Sequence, residues 1–173
     1  APLALALGAD VPFFLDPRPA RVRGIGERVE PVEGVPALAL VLANPGISLS
    51  TAEVYAAWDE RAAALTPPGP RPTMRAAFGP PFDVAALAGR SGADALERVL
   101  ENDLEGPATA ICPSIADLER ELVALGARAV AMSGSGATVY GVFESSSRAD
   151  AAVARGTFPP PVWARAVNTL PSA

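Results

Sequence analysis

The 173-residue chain has no histidine, no lysine and a single cysteine, and no apolar run in it is long enough to cross a bilayer. Each absence removes a class of function. Without histidine, and with Cys112 as its one thiol, the chain lacks the nitrogen and sulfur donors of a zinc site. A lone cysteine also excludes an internal disulfide framework and fits a reducing compartment. All 14 basic residues are arginine, the net charge is −5, and no basic cluster occurs. Nucleic-acid binding, which needs concentrated positive charge, is therefore not expected. The opening "APLALAL" has no charged segment before it and stops at Gly8, too short for a membrane span and unlike a signal peptide. A cytoplasmic location is the expectation. Position 1 is alanine, and the expectation there is a chain whose front portion has been removed.

What is present is ample apolar material. Half of the residues are hydrophobic, enough for one packed domain of ordinary size. "APLALAL" predicts the last turns of a helix stopped by Gly8. Residues 20–33 alternate polar and apolar positions around Gly24 and Gly26, which predicts a hairpin. "PALALVLANPG" predicts a buried strand ending in a turn at 44–46. A helix follows, with Ser50 or Thr51 as its N-cap and Val54, Tyr55 and Trp58 at helical spacing. Residues 66–82 hold six prolines and two glycines and predict a loop. Helical patterning runs over 83–104. Pro113 then opens an amphipathic helix with Ile115, Leu118, Leu122 and Leu125 on one face and Gly126 as its stop. Two strands, "ARAVAM" and "TVYGVF", are joined by "SGSGA". A short helix over "SSRADAAVARG" and a strand over "VWARAVNTL" complete the chain. Helices and strands mix without regular β-α-β alternation, so the fold class is α+β with an antiparallel sheet.

Three places carry candidate chemistry. In "MSGSGATVY", residues 132–140, Gly134 and Gly136 let backbone approach a ligand, and successive N–H groups can form an anion nest. Ser133, Ser135 and Thr138 add hydroxyls, although a plain turn between strands would use the same residues. No lysine follows the glycines, so this is not a Walker A loop. Asp10 stands between apolar neighbours, either as a local turn fastener or as a half-buried acid in need of a partner. Tyr55 is core or, alternatively, a stacking platform for a base.

Five stretches in order, "LGADVPFFL", "GIGERVEPV", "NPGISLSTAEVY", "ENDLE" and "MSGSGATVYGVF", closely resemble the GHMP kinase superfamily. Within it they resemble the branch acting on a cytidine-diphosphate methylerythritol in non-mevalonate isoprenoid synthesis. The resemblance spans nearly the whole chain. It implies ATP-dependent phosphorylation of the 2-hydroxyl of 4-(cytidine 5'-diphospho)-2-C-methyl-D-erythritol, with Asp10 as the general base. It also implies a cytidine pocket using Thr51 and Tyr55, with Gly24, Ile25 and Gly26 on the same substrate side. The loop from Gly134 through Ser135 to Gly136 would lie close to the transferring phosphate. ATP and Mg2+ are the implied cofactors, with no residue of this chain assigned to the metal. The small-molecule substrate and ATP are the implied partners.

The family's catalytic lysine and its glycine- and serine-rich ATP loop have no counterpart here. The implied organisation is a remnant of the N-terminal kinase domain over 1–36 and a C-terminal domain over 37–173. Such a chain by itself is expected not to phosphorylate. Another GHMP kinase, for homoserine or mevalonate, and a non-catalytic α+β binding domain are the alternatives.

Overall fold

The computed structural model describes residues 2–8, 11–65 and 100–171. Asp10, the predicted loop over 66–82 and the predicted helical stretch over 83–99 lie outside them. Two short helices come first, α1 (Pro2–Leu7) and α2 (Val11–Phe14). The predicted hairpin follows as β1 (Ala20–Arg23) and β2 (Arg28–Pro31), which pair with each other alone. Gly24, Ile25 and Gly26 form its turn, where the Ile25 N–H donates to the Glu27 carboxylate at 2.7 Å.

A second sheet organises the rest of the described chain. Its strands are β3 (Ala39–Asn44), β4 (Ala129–Met132), β5 (Val139–Phe143) and β6 (Trp163–Asn168). They lie in the order β4-β5-β3-β6, every pair antiparallel. The α+β class with an antiparallel sheet is thus the observed one. Ala43 pairs with Val139, so the exit of β3 stands beside the entrance of β5.

Among the described residues four helices join these strands. The "SLSTAEVY" segment becomes α3 (Thr51–Leu65), capped by Ser50, whose Oγ accepts the Glu53 N–H at 3.4 Å. Next come α4 (Glu105–Ile111) and α5 (Ser114–Ala124). The apolar stripe of α5 buries Ile115, Leu118 and Leu122, and Gly126 ends it at φ +101°. The last is α6 (Ser146–Arg155), where the Ser145 hydroxyl accepts the Arg148 N–H.

Helices α5 and α6 cover one face of the four-stranded sheet, and α3 packs on α4. Ile115, Leu122, Val41, Val54 and Val139 are fully enclosed there. Each such side chain contributes about 1.5–3 kcal/mol through burial. The opposite face buries Ala129 and Val142 under Leu38, Leu40, Leu100 and Tyr140. Among the described residues no helix is long and apolar enough to cross a membrane.

One local expectation is corrected. The helical patterning over 83–104 does not extend through Leu100–Leu104, which is loop and turn. Asn102 is the cause: its side-chain oxygen accepts the Leu104 N–H at 3.0 Å, an Asx turn that competes with helix. Helix α4 has no counterpart in the sequence reading, and it carries a proline near its start. Pro107 is the third residue of α4, where a backbone N–H has no intrahelical partner to lose.

Candidate functional site

The loop from Ser133 to Thr138 joins β4 to β5. The Ser133 N–H donates to the Thr138 carbonyl at 2.8 Å, and the Gly136 N–H donates back to the Ser133 carbonyl at 3.0 Å. Gly134 and Gly136 stand at φ +58° and +91°, in the region that disfavours side chains. Their surroundings differ. A Cβ on Gly136 would lie 2.8 Å from Met132 Sδ and 3.2 Å from Leu49 Cδ1, whereas one on Gly134 would meet nothing within 4 Å. Gly136 is therefore packed against the core, and Gly134 borders open space.

Three distant elements hold this loop. From the end of β3, Asn44 Nδ2 donates to Thr138 Oγ1 at 2.9 Å. From the start of α3, the Thr51 hydroxyl meets the Ser135 hydroxyl at 2.9 Å. From the segment before α4, Asn102 Nδ2 donates to the carbonyls of Met132 and Gly134 at 2.9 and 2.8 Å.

Between them lies a cavity of about 480 Å³, whose lining includes Thr51, Tyr55, Asn102, Gly134, Ser135 and Tyr140. Tyr55 is 52% exposed, so it is not a core residue. The structure thus brings Thr51, Tyr55, Gly134 and Ser135 to one cavity, with Gly136 behind the loop. Gly24, Ile25 and Gly26 lie in the β1–β2 turn and are not among the lining residues. Asp10 lies outside the described residues.

Acidic side chains back the loop. Glu105 Oε2 accepts the Met132 N–H at 2.9 Å. Burial, and then the neighbouring Glu105 carboxyl, push the Glu119 carboxyl up to about 7. Its Oε1 is buried with no hydrogen-bond partner among the described residues. The Tyr140 phenol is likewise raised, by burial first and by Glu105 second. These groups suit a structural cluster behind the loop. Among the described residues no three acidic or cysteine side chains gather as a cation site.

Asn102, Glu105, Glu119 and Tyr140 were not singled out from the sequence as site residues. Asn102 and Glu105 lie within "ENDLE", but nothing in that string indicates contact with a loop 30 residues on.

The comparisons agree with this architecture. A family model described as GHMP kinases C terminal matches residues 84–158. A 4-diphosphocytidyl-2-C-methyl-D-erythritol kinase of Paracoccus denitrificans is 43% identical over 169 residues, covering 97% of this chain and 56% of that one. The kinase of the same name from Citrifermentans bemidjiense is 39% identical, covering 97% and 54%. The chain thus spans about half the length of the curated relatives it matches. A crystal structure of 4-(cytidine 5'-diphospho)-2C-methyl-D-erythritol kinase superposes with a TM-score of 0.64 at 36% identity, covering 97% of this chain and 56% of the other. Mevalonate kinase of L. major shares the fold, with a TM-score of 0.50 at 20% identity over 84% of this chain and 46% of that one.

Proposed function

We propose, for a chain that carries the C-terminal fold of the GHMP kinases, that it forms the rear part of a kinase phosphorylating 4-(cytidine 5'-diphospho)-2-C-methyl-D-erythritol. In this reading residues 1–36 are the remnant of an N-terminal domain and 37–173 the C-terminal domain. ATP supplies the phosphoryl group, and the setting is the cytoplasm. Mg2+ would arrive with the nucleotide.

The observation that carries the reading is the meeting of Thr51 and Ser135. Their hydroxyls, 2.9 Å apart, join the helix proposed to hold cytidine to the loop proposed to face phosphate. A ligand with a base at one end and phosphates at the other suits that arrangement. Tyr55 offers its half-exposed ring to the base. The loop offers backbone N–H groups and hydroxyls to oxygens that gain charge as phosphate moves. Asp10 is the proposed base for the attacking hydroxyl. The transfer is mainly positioning and charge stabilisation, so a wall of fixed donors matters more than covalent chemistry.

The test is a phosphoryl-transfer assay on a full-length kinase carrying this segment, with the cytidine-bearing alcohol, mevalonate and homoserine as acceptors. Turnover confined to the cytidine-bearing acceptor, and abolished by Asp10→Asn, supports the reading. Equal turnover of an acceptor without cytidine refutes it.

A further inference from the structure

We infer that Asn102 is the positioning residue that holds the Ser133–Thr138 loop in its anion-accepting form, an inference resting on the reading of that loop as phosphate-facing. A carboxamide has two N–H donors and one carbonyl acceptor. Here Nδ2 donates to the carbonyls of Met132 and Gly134, which flank Ser133 on both sides, at 2.9 and 2.8 Å. The acceptor Oδ1 takes the Leu104 N–H at 3.0 Å at the entrance to α4. The side chain is thereby tied to the loop at one end and to a helix start at the other.

The consequence for an anion is electrostatic. Two carbonyl oxygens beside Ser133 carry partial negative charge and would repel phosphate oxygens if they turned towards the cavity. Asn102 binds both. Meanwhile the N–H groups of Gly134 and Ser135, residues of the cavity wall, have no hydrogen-bond partner among the described residues. Acceptors are tied back and donors are left for the ligand, which is how a backbone nest takes an anion. Asn102 works through the loop and needs no contact with a reacting atom.

Asn102→Asp separates this role from simple space filling. The substitution keeps the shape but sets carboxylate oxygens against two carbonyl oxygens, with no proton to share at neutral pH. Asn102→Ala removes the tether without repulsion. The experiment follows backbone amide exchange by NMR in the 173-residue chain, with β5 amides as internal control, and titrates each protein with pyrophosphate.

In both variants the Ser133 and Gly136 amides should exchange at least about tenfold faster while β5 stays protected. The pyrophosphate-induced shifts of Gly134 and Ser135, present in the unaltered chain, should be lost in both. An Asn102→Asp chain with unaltered exchange and shifts would overturn the inference, as would variants that lose β5 protection along with the loop. If the unaltered chain ignores pyrophosphate, the phosphate reading itself fails and takes the inference with it. If all three proteins respond equally, only the role given to Asn102 fails.

Discussion

The hydroxyls of Thr51 and Ser135 lie 2.9 Å apart although 84 positions separate them in the chain. One belongs to the first turn of α3 and the other to the loop between β4 and β5. The bond is solvent-exposed. Its loss in Thr51→Val should therefore cost about 1 kcal/mol of stability or less. Ligand binding should respond more strongly, with affinity for a cytidine diphosphate falling about tenfold, or ~1.4 kcal/mol. Denaturant melts and calorimetric titration measure the two effects separately. A large stability loss with unchanged affinity would make the contact purely structural.

Tyr55 is half-exposed on the cavity wall, so its replacement should barely disturb folding. Tyr55→Ala should change stability by no more than about 0.5 kcal/mol. Cytidine binding should weaken by about 1–3 kcal/mol, the worth of one base stacked on an aromatic ring. Tyr55→Phe keeps the ring and should keep the affinity. An alanine variant that binds cytidine normally would remove Tyr55 from the site.

The two loop glycines should differ in what they tolerate. Gly134→Ala meets backbone strain alone, since nothing lies within 4 Å of its would-be Cβ. That strain is worth about 1–2 kcal/mol. Gly136→Ala meets strain at φ +91° and a Cβ 2.8 Å from the buried Met132 sulfur as well. It should be the more destabilising of the two by about 1–3 kcal/mol, the typical cost of overpacking. Thermal denaturation of the pair tests the order, and equal losses would contradict the packing argument.

Glu119 should make stability depend on pH. Its carboxyl is pushed from the ordinary 4.5 to about 7, chiefly by burial and then by Glu105. The folded chain therefore holds this proton more tightly than the unfolded chain. Its stabilisation is fully present below about 4.5 and is lost as pH rises through about 7. Glu119→Gln, which cannot ionise, should flatten stability across that window relative to the unaltered chain. Urea midpoints at several pH values measure it, and parallel curves for the two proteins would refute the assignment.

Much of the fold was legible because its signals are local. Ile115, Leu118 and Leu122 at helical spacing specified α5, and Gly126 marked its end. Alternation around Gly24 and Gly26 specified the β1–β2 hairpin, and the glycine-serine string specified a tight connection between β4 and β5. Legibility failed where one side chain overrode the local pattern. Asn102 turns the chain at Leu100–Leu104 against its helical patterning, and Pro107 sits inside α4 because an N-terminal turn has donors to lose. The acidic cluster was illegible for another reason. Glu105 and Glu119 lie on separate helices, and only the packing of those helices brings the two carboxyls together.

The sequence by itself determined the type of most described elements, and its composition argued against zinc, disulfide and nucleic-acid chemistry, since those depend on composition and short-range periodicity. It also supplied the residue types of the candidate site. Their convergence was decided by tertiary structure: antiparallel pairing of β3 with β5 sets Ala43 opposite Val139. That single register places the chain leaving β3 towards Thr51 beside the loop entering β5 from Ser135. Contacts between residues so far apart come from the pairing of whole strands, and no local window of sequence contains that information.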